Sequence, residues 1–480
     1  MADQMQNQAN ELRYVSTRGT APVLGFEDVM LAGLARDGGL YLPDVWPRFT
    51  PADIQAMSGL SYAQTACRVM EPFVGSDIAR EEFAEIVEAA YATFSHSAVT
   101  PLVELGSGQW LLELFHGPTL AFKDVAMQLL GRLMDRTLKR RGGRATIVGA
   151  TSGDTGGAAI EAFAGRESVD IFILHPHGRV SDVQRRQMTT ARADNVHNIA
   201  IKGTFDDCQA LLKALFNDLE QRDRLSLAGV NSINWARIMA QTVYYFVSAA
   251  ALGAPERPVR FCVPTGNFGD VFAGYAASRM GLPIDRLVIA TNVNDILVRT
   301  LKSGRYEPNA VVATSSPSMD IQVSSNFERL IFEAAGRDSV RVCQLMDDLA
   351  GQGSFTLSEN ELAFLRSAFA AEAVDEEQVE RTIREVARET GYVCDPHTAV
   401  GIAAARRQHT TRIPVVTLAT AHPAKFPDAV EAATGKRPDV PSRLEEKLGA
   451  DERFEIIDND YDALVAFIEA RARVVAEPRA

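Results

Sequence analysis

From Gln109 onward, short apolar runs alternate with amphipathic segments, and that alternation predicts strands and helices in turn. Ala145 to Ala150, Val169 to Leu174, Val196 to Lys202, Val259 to Val263, Leu287 to Ala290 and Ile413 to Leu418 read as buried strands. Gly157 to Phe163, Asp206 to Arg222, Asn234 to Leu252 and Gly269 to Met280 read as helices between them. Such an order argues for an α/β fold with two mainly parallel-sheet domains. The stretch from about Tyr14 to Tyr91 differs: it reads as a small, mainly helical unit, punctuated by turns at Asp37-Gly38-Gly39 and Pro43-Asp44. Within it, Phe83, Ile86, Val87, Ala90, Tyr91 and Phe94 share one face of a helix over Ala79 to Phe94. Leu357 to Glu389 reads as two charge-rich helices, with Glu376, Glu377, Glu380 and Arg384 on a solvated face. The tail from Asp451 adds a strand and a helix around Tyr461 to Ala472. The expected division is an N-terminal unit over 1–95, a core over 96–450 with a smaller subdomain at about 125–230, and a C-terminal extension over 451–480.

Composition narrows the function. A chain of 480 residues, 46% hydrophobic, builds cores large enough to need no disulfide or metal. The five cysteines are scattered and include no CxxC pair, so no metal site is expected and a reducing cytoplasm fits best. The opening Met1 to Gln6 lacks a basic end followed by an apolar run, so no secretory leader is expected, nor is a membrane span. Net charge is −13 without a long basic run, which argues against nucleic acid and anionic membrane as partners. An anionic small molecule would have to be held by backbone amides and a few arginines.

The chemistry begins at Lys123, in the run Phe115-His116-Gly117-Pro118-Thr119-Leu120-Ala121-Phe122-Lys123-Asp124. Burying an ammonium is costly, and desolvation favours the neutral amine, a nucleophile toward aldehydes. On the decapeptide alone, a lysine snorkelling from a helix start or paired with Asp124 explains the run equally well. Three turns between a strand and a helix add weight. Ala150-Thr151-Ser152-Gly153-Asp154-Thr155-Gly156-Gly157 presents amides and short hydroxyls to one point, without the ending of a P-loop. Pro264-Thr265-Gly266-Asn267-Phe268-Gly269-Asp270 places amides where a helix start would hold a phosphate. Leu418 to Phe426 carries Thr420 at the carboxyl end of a strand, where open α/β sheets bind ligands, and His422 before a proline, where a turn role outweighs acid–base work. One lysine in an apolar setting with three such turns suggests an aldehyde cofactor bearing a phosphate, which describes pyridoxal phosphate.

These residues carry a resemblance. The chain resembles the threonine synthases, pyridoxal-phosphate enzymes of the fold shared with the tryptophan synthase β subunit (fold type II). The likeness runs from Tyr14-Val15-Ser16-Thr17-Arg18-Gly19 through Asp37 to Tyr41, His116 to Thr119, Phe122-Lys123-Asp124, Ala150 to Gly156, Asn231 to Arg237 and Gly266 to Asp270, ending at His422 to Phe426. The resemblance implies that Lys123 bonds to the cofactor and is the catalytic base. It implies that Gly266, Asn267, Phe268, Gly269 and Asp270 cradle the cofactor phosphate, and that Thr420 meets the pyridine nitrogen as a neutral hydroxyl. Thr151, Ser152, Asp154 and Thr155 would lie by the cofactor ring and the substrate carboxylate, with Arg179, Asn234 and Arg237 at the substrate phosphate. Many members of the wider fold have Asn where this chain has Asp154, so either this carboxyl is protonated or it points at another donor. The implied reaction turns O-phospho-L-homoserine and water into threonine and phosphate, in a monomer or homodimer. A phospho-lyase or threonine dehydratase releasing 2-oxobutyrate is the alternative enzyme, and a small-anion binding protein the alternative outside catalysis.

Overall fold

The apolar runs pair with one another as two sheets. The computed structural model describes residues 12–106, 108–151, 153–408 and 412–476. The larger sheet has six strands in the order Phe369–Ala373, Ile284–Thr291, Val259–Pro264, Val415–Ala419, Gln109–Glu113 and Leu102–Gly106. All neighbours in it are parallel except the last pair, which forms an antiparallel hairpin. The smaller sheet has five parallel strands in the order Glu455–Asp458, Val196–Lys202, Val169–Pro176, Ala145–Ala150 and Leu227–Ala228. Its central strand Val169–Pro176 is buried along its whole length, as a strand covered by helices on both faces must be. The tail returns to this sheet, since Glu455–Asp458 pairs with Ile199 to Lys202 at its edge.

Two stretches depart from the sequence reading. Asp206 to Arg222 is two helices, Phe205–Asn217 and Leu219–Arg224. Asp218 leaves helical geometry and its side chain caps the second helix at Gln221, a start signal inside an otherwise helical pattern. Leu357 to Glu389 holds the helices Glu359–Ala368 and Glu376–Thr390, with the strand Phe369–Ala373 between them. Its alanines favour helix locally, but pairing with Leu287 to Thr291 and burial of Phe369 decide the outcome.

The N-terminal unit packs four helices, Phe26–Ala32, Pro51–Gln55, Tyr62–Val74 and Arg80–Tyr91, on a small hairpin of Tyr14–Ser16 and Tyr41–Pro43. It is fastened to the core by aromatic rings around Trp235, with centroids at 5.9 Å from Tyr14, 5.6 Å from Phe73 and 6.0 Å from Trp46. Among the described residues no helix is long and apolar enough to cross a membrane, and all five cysteines are free.

The helix Lys123–Arg140 lies against the helix Asp154–Phe163, and Gly131 makes their approach close. A Cβ at Gly131 would stand 2.5 Å from the Ala162 carbonyl oxygen, a backbone atom that cannot rotate away. Replacing a helical glycine by alanine gains about 1 kcal/mol of propensity. Overpacking against backbone costs about 1–3 kcal/mol. Gly131→Ala is therefore expected to lower stability in urea unfolding; equal or greater stability would show that the helices separate without cost.

Candidate active site

Every strand-to-helix turn singled out in the sequence lies at the carboxyl end of a strand, which brings helix starts together. Helices begin at Lys123, at Asp154 and at Gly269, each with its positive dipole end at the turn. The segment before Lys123 is strapped to the end of the strand Val415–Ala419. Phe122 donates its amide to the Thr420 carbonyl at 2.8 Å, and His422 donates to Leu120 at 3.0 Å. Thr420 and Lys123 are thus held side by side by backbone bonds.

Lys123 is buried, with Nζ 4.8 Å from the centroid of the Phe122 ring. It does not pair with Asp124. That carboxylate accepts the Thr119 amide at 2.7 Å and the Thr119 hydroxyl at 2.8 Å, folding the loop back on itself, and burial raises its pKa to about 6. Gly117 is required for this loop, because a Cβ there would stand 2.4 Å from that of Asp124. The carboxylate nearest Lys123 is Asp154, with Oδ2 at 3.7 Å from Nζ. Burial drives Lys123 below the ordinary lysine range; Asp154 opposes this, and the charges of Lys425 and Arg237 add to it.

Asp154 settles the question its identity raised. It points at another donor: Lys425 Nζ lies 2.8 Å from Oδ1, and Gln184 donates to the same oxygen at 3.0 Å. Ser318 donates to Oδ2 at 3.3 Å. Burial alone would raise the Asp154 pKa, but Lys425 and Lys123 outweigh it and hold the group ionised, well below the carboxylate range. Gly153 leaves room for Gln184, since a Cβ there would come within 2.4 Å of its side chain. Ser318 is placed in turn by His397, whose Nε2 accepts the Ser318 amide at 3.2 Å while Nδ1 faces Asp395 at 2.7 Å. Nδ1 therefore carries the proton.

The second Gly-rich turn forms a set of open donors. Phe268, in left-handed geometry at φ 65°, starts the helix Gly269–Arg279. Among the described residues no acceptor takes the amides of Asn267, Phe268 or Gly269. A covering segment fixes the turn from outside: Asn326 bonds to the Asn267 carbonyl through its amide at 3.0 Å and its side chain at 2.9 Å, and Ser324 donates to the Gly266 carbonyl at 2.6 Å. A Cβ at Gly266 would stand 2.6 Å from the Ser318 carbonyl oxygen, so the turn admits only glycine there. Burial pushes the Asp270 carboxyl up to about 7, with the Val271 amide and Lys123 acting against it.

Not all the expected residues join this cluster. Asn234 is spent on structure: its carbonyl caps the helix Trp235–Ala251 at Ala236, and its NH₂ group donates to Met30 at 2.8 Å and Gly229 at 3.0 Å. These bonds tie the N-terminal unit to the core at Met30. Arg179 is exposed on the turn after the strand Val169–Pro176, where its charge acts on Asp207, and not among the buried groups around Lys123. Thr151 caps its own turn, accepting the amides of Gly153 and Gly156 at 3.0 Å each. Thr155 is half-buried at the start of the helix Asp154–Phe163, and Ser152 lies outside the described residues. Arg237 is buried within reach of Lys123, donates Nη1 to Val230 at 3.2 Å, and leaves its Nε–H without a partner among the described residues. His422 is a turn residue whose Nδ1 accepts the Ala424 amide, and burial lowers its pKa to about 4. Sequence reasoning missed Lys425, Gln184, Ser318 and His397. Lys425 lies within the motif His422 to Phe426, and nothing local distinguishes it, since its partner Asp154 is far away in the chain. Among the described residues no group of His, Cys, Asp and Glu is placed to hold a metal ion.

The comparisons agree on one likeness. Residues 13–91 match the family model for the threonine synthase N terminus, 94–421 that for pyridoxal-phosphate dependent enzymes, and 398–468 that for the threonine synthase C-terminal region. A threonine synthase of Pseudomonas aeruginosa is 54% identical over 459 residues, covering 95% of this chain and 98% of its own. The crystal structure of pyridoxal-phosphate-bound threonine synthase from Brucella melitensis superposes with a TM-score of 0.94 at 58% identity, covering 96% of this chain and 100% of that one. That of the yeast threonine synthase superposes with a TM-score of 0.91 at 39% identity, covering 96% and 99%.

A buried Asp270 that is neutral below pH about 7 adds no negative charge to the amide turn, and an ionised one repels an anion there. Inorganic phosphate is expected to bind the unaltered protein and Asp270→Asn alike at pH about 6, and the unaltered protein more weakly above pH about 7. Calorimetric titration checks this; a ratio of affinities that does not change with pH would contradict it.

Proposed function

The chain belongs to the threonine synthase family of pyridoxal-phosphate enzymes, and from that premise we propose that it converts O-phospho-L-homoserine and water into L-threonine and phosphate, with Lys123 as its catalytic residue. The observation that carries this reading is a buried lysine amine without a hydrogen-bonded acceptor among the described residues, together with a turn of unspent amides that opens the helix Gly269–Arg279. The residues present fit pyridoxal phosphate. An anion would take the free amides of Asn267, Phe268 and Gly269, and an aldehyde would take the Lys123 amine. When bound, the cofactor supplies an electron sink that makes the substrate's Cα proton removable.

The chain's own residues supply the rest. Gly266 to Asp270 hold the cofactor phosphate at the start of the helix Gly269–Arg279. Thr420, strapped to Phe122, offers the pyridine nitrogen a hydroxyl and no negative charge. Thr151 and Thr155 stand on the turn assigned to the substrate carboxylate, with Ser152 beside them in sequence, and the dipole of the helix Asp154–Phe163 favours an anion there. Once its amine is released by the substrate, Lys123 removes the proton at Cα and serves the later proton transfers at Cβ and Cγ. Arg237, with an N–H unpartnered among the described residues, is the cation for the leaving phosphate. Arg179 joins it only if the exposed turn that carries it folds inward when substrate binds. Water has to be kept away until phosphate has left, which places the addition of water at Cβ last. The setting we propose is a reducing cytoplasm, with the chain as a monomer or homodimer.

Supplying O-phospho-L-homoserine to the cofactor-loaded protein should give threonine and phosphate in equal amounts. 2-Oxobutyrate as the main product would turn the assignment to a lyase or dehydratase, and no turnover at all would favour a binding protein. Lys123→Ala is expected to reduce turnover by more than roughly a thousandfold, the size of a lost general acid–base group, with an unchanged circular dichroism spectrum. Retained activity would remove Lys123 from the reaction.

A further inference from the structure

Two buried lysines share one carboxylate in this site, unequally. Asp154 Oδ1 lies 2.8 Å from Lys425 Nζ, and Oδ2 lies 3.7 Å from Lys123 Nζ. The first is a hydrogen-bonded ion pair, and the second is beyond hydrogen-bond reach. Lys425, fully buried, also donates to the Thr119 carbonyl at 2.8 Å. Gln184 fixes the shared carboxylate oxygen from the other side at 3.0 Å. Lys123 Nζ has the Phe122 ring beside it and, among the described residues, no hydrogen-bond acceptor. The two amines are chemically alike, so their partners alone make them different.

We propose that Lys425 is a positioning residue for the cofactor-bearing lysine: by occupying Asp154 and the Thr119 carbonyl, it leaves the Lys123 amine without an acceptor and available to an aldehyde. The proposal rests on the reading of Lys123 given above. A neutral amine joins an aldehyde carbon with loss of one water, whereas an ammonium first has to give up a proton. The charged groups that face Lys123 are Asp154 from the helix Asp154–Phe163, Lys425 from the turn after Thr420, Arg237 from the helix Trp235–Ala251 and Asp270 from the helix Gly269–Arg279. Burial and the two like charges favour the neutral amine, and the two carboxylates oppose them. Without Lys425 the balance shifts toward the ammonium form. Asp154 would then have Lys123 as its nearest lysine, and one of the two repelling charges would be gone.

The test is an NMR titration of the full-length protein freed of cofactor and carrying ¹³C at lysine Cε, with the two signals assigned by substitution. In the unaltered protein Lys123 is expected to titrate below the ordinary range of a lysine amine. In Lys425→Met the Lys123 midpoint should rise by about one pH unit or more, a tenfold loss of neutral amine at a given pH. In Lys425→Arg, which keeps the charge, it should stay near its original value. An unmoved Lys123 midpoint in Lys425→Met, or a Lys123 midpoint in the ordinary lysine range in the unaltered protein, would overturn the proposal. If Lys425→Met does not fold, Lys425→Gln, which also removes the charge, is measured in its place with the same two outcomes. The titration needs no cofactor and no turnover, so a wrong assignment of Lys123 to the cofactor would leave its outcome intact, and the two failures stay distinguishable.

Discussion

A buried carboxylate between two buried lysine side chains is the constraint around which this site is built. An unpaired charge inside a protein costs several kcal/mol, so Asp154, Lys425 and Lys123 have to be placed with respect to one another. Each comes from a different part of the fold. Asp154 opens a helix after a strand of the smaller sheet, Lys425 follows a strand of the larger sheet, and Lys123 opens a helix that packs on the one begun by Asp154. The cluster therefore links residues that follow strands of both sheets. Gln184 and Ser318 complete the bonding of Asp154, one from the side of each sheet.

The same logic runs through the rest of the active region. Parallel strands end together, and the helices that follow point their positive ends at one place. In the proposed reading, backbone amides do what a cluster of arginines would do elsewhere, so that a chain of net charge −13 could hold an anion. The left-handed Phe268 and the closely packed Gly266 shape the turn that carries those amides, and the covering segment with Ser324 and Asn326 fixes it from outside. The N-terminal unit acts at a distance, gripping Trp235 and Asn234 at the start of the helix that carries Arg237.

Much of this was legible in the sequence, because strands, helix starts and glycine turns are written locally. The strands Ala145–Ala150 and Val196–Lys202 fall where the apolar runs place them. The strand Phe369–Ala373 did not announce itself, since its alanines suit a helix and only a distant partner strand makes it extended. Among the site residues, Lys123 stood out through its apolar neighbours and the glycine turns through their spacing. Lys425 and Gln184 did not, because a lysine or a glutamine takes on meaning only from a partner far away in the chain. The bonds of Asn234 were illegible for the same reason: its side chain caps a helix and donates to the carbonyls of Met30 and Gly229, and Met30 is a partner some two hundred residues away.

The central claim is that, of two buried lysines beside one aspartate, Lys123 is the one that bonds to the cofactor. The direct measurement is borohydride reduction of the cofactor-loaded protein followed by peptide mass spectrometry. The account predicts one reduced pyridoxal phosphate adduct per chain, on Lys123. An adduct on Lys425 or any other lysine, or no adduct at all, would contradict it.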